Sequence, residues 1–265
     1  PEKESQLEGV VTERDLLSKG LPILQQRGNE FFELSLGEIM TSSPKTMGLD
    51  ETLLDAIQLM ARGDFRHIPL VDHSQQSYKL LSLRDIMSFV AKLFPQQIAA
   101  MGTKYDWDLL EVRAQDEDFS LEVLNRELSG NVFLNPLKKA IYREALCCDI
   151  SERLENVLEK MRQEKEGAVV VTQYECVVKG IFTERDFIKN LSSTNWEILR
   201  KQKISELMTS GIYTLLERHV VSFAINNMLT QGHGRCIIVN EDNYPVSVVS
   251  MLDILKFLNY QLFND

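Results

Sequence analysis

The chain has 265 residues, 39 acidic against 29 basic side chains, and a formal charge of -10. A hydrophobic share of 44% supplies a packed core and excludes wholesale disorder, and the length allows about one to three domains. The acidic balance argues against nucleic-acid binding through bulk charge. No apolar run approaches the roughly 18 residues a membrane span needs, and no charged-then-apolar signal segment opens the chain.

Taken in chain order, the sequence repeats itself. Leu36–Asp85, Leu137–Asp186 and Ile204–Asp253 align without a gap at offsets of 101 and 67 residues. Leu53, Leu154 and Val221 share a column, as do Ala56, Val157 and Ala224; Ile57, Leu158 and Ile225; and Met60, Met161 and Met228. These columns fall at i, i+3, i+4 and i+7, so they predict one apolar helix face in each copy. Two strand-length apolar runs follow each helix: Ile68–Val71 and Lys79–Leu83, Val169–Val171 and Gly180–Thr183, Cys236–Val239 and Ser247–Met251. Each copy closes on Ser/Thr-x-x-Asp, which opens a second apolar helix. The unit reads strand, helix, strand, strand, helix, which is an α+β architecture.

A shortened first copy precedes these three. Gly9–Asp15 matches Gly180–Asp186, and Pro1 falls in the column of Val71. The sequence is therefore expected to begin inside a repeat. Copies one and three both end Thr-Glu-Arg-Asp, whereas two and four end Ser82–Met87 and Ser250–Leu255, with Phe89 matching Phe257. Odd resembles odd and even resembles even, as duplication of a two-repeat unit would leave. The expected divisions are 1–35 (end of repeat one and a connector), 36–95 (repeat two), 96–136 (an acidic insert), 137–192 (repeat three) and 193–265 (repeat four). The insert carries a net -5, half the total, and Leu121, Leu124 and Leu128 predict a short amphipathic helix within it.

The segments Leu36–Met40 and Ile204–Met208, Ile68–Asp72, and Gly180–Asp186, by their order within the repeat, their spacing and their repetition, resemble the CBS domain family. The resemblance covers nearly everything except the insert. It implies tandem repeats paired into two Bateman-like modules, one plus two and three plus four, that bind adenosyl ligands in clefts between repeats. It further implies that the Ser/Thr of the closing motif meets phosphate and the Asp holds ribose hydroxyls. Carried over, the ligand residues are Thr12 and Asp15, Ser82 and Asp85, Thr183 and Asp186, and Ser250 and Asp253. Basic residues before the second strand are expected to face phosphate: Arg66 and His67 in repeat two, and Arg235 in repeat four, which is also expected to serve repeat three. Arg14, Arg84 and Arg185 lie inside the motif and add positive charge. Leu252 replaces that Arg in repeat four, and Lys79 and Ser247 replace the motif glycine, where a larger side chain is expected to crowd a ligand.

The chemistry suits these residue types. Two ribose hydroxyls can donate to one carboxylate, a helix N-terminus favours phosphate, and a guanidinium forks onto phosphate oxygens. The structural alternative is that Ser/Thr-x-x-Asp is only a helix capping box. His67 is equally suited to packing at a strand start, His233 to a turn, and His73 and His219 to the surface. Trp107 and Trp196 lie outside the repeats and suit docking or interface packing. The four cysteines (Cys147, Cys148, Cys176, Cys236) and four histidines make no metal spacing, which suits a reducing, cytoplasmic compartment. No catalytic motif is present, so no enzyme activity, catalytic residue, cofactor or metal is expected. The expected role is a regulatory module sensing AMP, ADP, ATP or S-adenosylmethionine. Self-association as a dimer, or a regulated partner protein, is expected alongside. The alternatives are a ligand-free scaffold docking through the insert, and the regulatory part of a larger enzyme or transporter.

Overall fold

The structure, a computed structural model, describes residues 7–72, 77–94, 130–174 and 177–263. The insert helix expected at Leu121, Leu124 and Leu128, together with His73, Trp107 and Cys176, lies outside the described residues.

Three copies of the expected unit are present. Repeat two runs β3 (Met47–Gly48), α3 (Leu53–Gly63), β4 (His67–Asp72), β5 (Ser77–Ser82), α4 (Leu83–Leu93). Repeat three runs β6 (Cys147–Asp149), α5 (Leu154–Gln163), β7 (Ala168–Gln173), β8 (Val177–Thr183), α6 (Glu184–Leu191). After α7 (Trp196–Leu199), repeat four runs β10 (Thr214–Leu216), α8 (Val221–Thr230), β11 (Arg235–Val239), β12 (Pro245–Ser250), α9 (Met251–Phe263). The shortened first copy contributes β1 (Gly9–Val10), α1 (Glu13–Asp15) and α2 (Leu21–Arg27). Two further short strands, β2 (Thr41–Ser42) and β9 (Thr209–Ser210), open repeats two and four.

Within a repeat the first strand lies parallel to the second, and the second antiparallel to the third: Met47 is opposite Leu70, and Leu70 opposite Lys79. Cys147 and Val170 repeat the first relation, and Val170 and Ile181 the second. The helix columns read from sequence are the core: Met60, Met161 and Met228 are fully buried, and so are the columns of Ala56 and Ile57. Burying each large side chain of this kind favours folding by about 1.5–3 kcal/mol. The first helices end at one shared position. Asp64, Lys165 and Gly232 occupy the same repeat column, and all three have left-handed backbone (φ 56°, 56° and 71°). A residue in that conformation turns the chain out of the helix and into the next strand.

The chain divides into two compact units. One draws on Pro1–Pro44, Arg143–Thr214 and Ile237–Val248, the other on Lys45–Tyr142, Leu215–Cys236 and Val249–Asp265. In the first unit Leu17, Leu21 and Leu24 share a core with Leu154, Leu158, Met161 and Phe187. Trp196 belongs to that core too, so its role is interior packing rather than docking. In the second unit α9 packs on α3 and α4, and α8 on α4.

Candidate functional site

All four closing motifs fold as reciprocal capping boxes. In each, the Ser/Thr backbone N–H and hydroxyl both donate to Oδ2 of the Asp, while the Asp N–H donates to the hydroxyl oxygen. The backbone and hydroxyl distances are 2.9 and 2.7 Å for Thr12–Asp15 and the same for Thr183–Asp186. They are 2.9 and 2.5 Å for Ser82–Asp85, and 2.7 and 2.6 Å for Ser250–Asp253. The local cause is plain: each motif joins a strand to a helix whose first N–H groups need acceptors. The same box forms at Thr52–Asp55, ahead of α3 and away from any closing motif. Capping alone therefore does not single out a ligand site. The surroundings of the other carboxylate oxygen, Oδ1, differ from repeat to repeat.

Asp15 is buried, and its Oδ1 accepts from Thr41 Oγ1 at 2.7 Å and from Lys19 Nζ at 2.9 Å. Burial pushes its carboxyl up, but hydrogen bonds from Thr12, Thr41 and Lys19 outweigh this and hold it below the usual range. Asp186 is half-buried, and its Oδ1 accepts from Thr209 Oγ1 at 3.3 Å. Asp253 and Ser250 are both buried. Burial and then the Asp253 charge push the Tyr142 phenol up. Asp85 is exposed, and among the described residues its hydrogen bonds run to Ser82 alone.

Thr41, Tyr142 and Thr209 were not singled out from sequence, yet they share one repeat column. The signal was there in Met40-Thr41-Ser42 and Met208-Thr209-Ser210. Strand pairing brings two of these segments in. β2 lies antiparallel on β1, with Ser42 opposite Gly9, and β9 lies antiparallel on β8, with Ser210 opposite Gly180. The motif glycine makes this possible. A Cβ on Gly180 would collide with the Thr209 carbonyl oxygen, and one on Gly9 would lie 2.9 Å from that of Thr41. In the two odd repeats the space above this glycine is thus filled by a strand. In repeat four Ser247 takes the glycine position, and the approaching segment is held differently. Ala145 N–H donates to the Val246 carbonyl at 2.9 Å, and Ser247 Oγ donates to the Arg143 carbonyl at 2.8 Å.

The basic residues divide into two groups. Arg66, His67 and Arg235 sit beside their closing motifs. His67 is opposite Ser82, and the Arg66 carbonyl accepts from Leu83 N–H, as the Gly234 carbonyl accepts from Met251 N–H. In repeat three the matching residue is Ala168, opposite Thr183. The motif arginines are engaged elsewhere. Arg185 Nε lies 3.2 Å from Glu13 and Arg14 Nε 3.8 Å from the buried Glu184, so the two Thr-Glu-Arg-Asp motifs cross-pair. Arg84 donates to the carbonyls of Leu229 and Gly232, both at 3.4 Å. His219, expected at the surface, is half-buried instead: its Nδ1 accepts from Leu216 N–H and its ring stacks on Phe223.

A cleft of about 600 Å³ opens beside the third-repeat motif. It is lined by Val177, Val178, Lys179 and Gly180 of β8, by Gly211, Ile212 and Thr214, and by Val239 and Asp242–Tyr244. Gly180 is opposite Ser210, next to the Thr209 that bonds Asp186. No candidate ligand residue lines the cleft itself. Among the described residues no His, Cys, Asp and Glu group could hold a metal ion, and no helix is long and apolar enough to cross a membrane. Burial pushes the thiols of Cys148 and Cys236 each up to about 12, far from the thiolate form that ligates metals or attacks substrates.

Comparison with known proteins places this geometry. The crystal structure of protein MJ1225 from Methanocaldococcus jannaschii superposes over 97% of this chain and 85% of its own, with a TM-score of 0.70 at 17% identity. An uncharacterized conserved protein from Pyrococcus horikoshii covers 83% of this chain and 81% of its own, with a TM-score of 0.56 at 17% identity. Both show a shared fold. In sequence, Uncharacterized protein MJ1404 of Methanocaldococcus jannaschii is 23% identical over 83% of this chain. CBS domain-containing protein CBSCBSPB5 of Arabidopsis thaliana is 25% identical over 71%. The chain spans 42% and 34% of the length of these two relatives. The family model for the CBS domain matches residues 36–92, 138–193 and 204–260. That is well over half of the sequence, and the chain belongs to the CBS domain family.

Proposed function

We propose that the chain is a regulatory, non-catalytic module that senses an adenosyl ligand, with Thr183 and Asp186 as its principal site. The observation that carries this is the state of the Asp186 carboxylate. It is half-buried at the start of α6, and among the described residues one oxygen is met only by a 3.3 Å bond from Thr209. Ribose hydroxyls are donors that the remaining acceptor capacity of this oxygen can take. The adjacent cleft would offer a nucleobase apolar lining from Val177, Val178 and Ile212, with polar groups at Asn243 and Tyr244. The N-terminus of α6 would offer phosphate its dipole, and the Thr183 hydroxyl, which now donates to Asp186 Oδ2, would turn from its cap to meet it.

Regulation follows from differential binding. A ligand shifts a conformational equilibrium only by the difference in its affinity for the two states. The direct test is thermal unfolding with AMP, ADP, ATP and S-adenosylmethionine. A ligand at a hundredfold excess over its Kd stabilises by about 2.7 kcal/mol, so a saturable rise in Tm is expected. Asp186→Ala should abolish that rise. No shift with any of the four ligands would refute the assignment.

A further inference from the structure

We infer that Lys19 is a built-in occupant of the first-repeat motif, and that it reserves Asp15 against the ligand Asp186 accepts. This rests on the reading of Asp186 above. The two motifs are identical in sequence, Thr12-Glu13-Arg14-Asp15 and Thr183-Glu184-Arg185-Asp186. Both cap a helix, and both receive a threonine hydroxyl from an incoming strand. They differ one helical turn on, where Lys19 stands in one and Asn190 in the other.

An ionised carboxylate offers about four acceptor positions. At Asp15 each has its donor: Thr12 N–H, Thr12 Oγ1, Thr41 Oγ1 and Lys19 Nζ. The ammonium is fully used in turn, since Lys19 Nζ also donates to the Met40 carbonyl at 2.8 Å and to Thr41 Oγ1 at 3.1 Å. The result is a closed ring of charge-assisted bonds around a buried acid. Asn190 instead turns its amide to its own helix, donating to the Asp186 carbonyl at 2.7 Å, and leaves the Asp186 carboxylate alone. A ribose diol would have to displace a cation from Asp15 but only outcompete one long hydrogen bond at Asp186. The Lys19/Asn190 column thus decides which of two identical motifs is open.

Calorimetric titration with AMP, ATP and S-adenosylmethionine tests this by exchanging the two residues. Asn190→Lys should remove the binding that Asp186→Ala removes, with the Asp186 carboxylate left in place. Lys19→Asn in the Asp186→Ala background should restore binding, and adding Asp15→Asn should remove it again. An Asn190→Lys protein that binds like the wild type, while Asp186→Ala does not bind, would overturn the inference. If wild type binds none of the three, the Asp186 reading fails instead. Lys19 is then judged by a carbon-13 NMR titration of the Asp15 carboxyl. Lys19→Asn should raise its midpoint, and an unmoved midpoint would place Lys19 off the carboxylate.

Discussion

Asp15 shows how one carboxylate becomes a structural part. Its ionised form is held by donors from Thr12, Thr41 and Lys19, which together pull its pKa below the ordinary 3.8 despite burial. A group whose pKa is lower folded than unfolded stabilises the fold above the unfolded value and stops doing so as pH falls through the folded one. Asp15→Asn should therefore cost about 1–3 kcal/mol at neutral pH, the scale of losing hydrogen bonds to a buried charged group. The deficit relative to wild type should shrink as pH falls below 3.8. Urea melts of both proteins at neutral and acid pH measure this. A deficit that stays constant with pH would mean that the bonds to the charged form are not the source.

At the scale of elements, the motif glycine separates two kinds of repeat. Gly9 and Gly180 admit β2 and β9 against their strands, whereas Lys79 and Ser247 stand at that position in the even repeats. Gly180→Ala pushes a methyl into backbone, which cannot rotate away, and should destabilise by about 1–3 kcal/mol. Lys79→Ala, at the same column on an exposed strand face, should be neutral within about 0.5 kcal/mol. Chemical denaturation compares them, and equal effects would deny the glycine its role. Most of the secondary structure was legible in sequence because its causes are local. The helix faces recur at i+3, i+4 and i+7, and the capping boxes close within four residues. The engagement of Oδ1 was not legible, because its donors arrive from afar: Thr41 stands 26 residues from Asp15, and Thr209 stands 23 from Asp186. The glycine and the Met-Thr-Ser triplets marked that pairing, but only the register shows which strand meets which.

At the scale of the whole molecule, the repeated sequence creates repeated contacts between segments that are distant along the chain. The two Thr-Glu-Arg-Asp motifs meet in one compact unit and cross-pair, Glu13 with Arg185 and Arg14 with Glu184. Similar motifs generate self-complementary surfaces, because each presents the partner that the other needs. The two pairs are not equal in energy. Arg185 is largely exposed, and an exposed pair is worth about 0–1 kcal/mol. Glu184 is buried to 2% of its side-chain surface, so losing Arg14 weakens the compensation of a charge withdrawn from water. Arg14→Ala should therefore destabilise by about 1–3 kcal/mol and Arg185→Ala by less than about 1 kcal/mol. Removing both partners together, as Arg14→Ala with Glu184→Ala, should recover part of the loss, since no buried charge remains. A double-mutant cycle in urea reads the coupling directly. Equal costs for the two arginines, or a double variant no better than Arg14→Ala, would show that the buried glutamate draws its compensation from elsewhere in the unit.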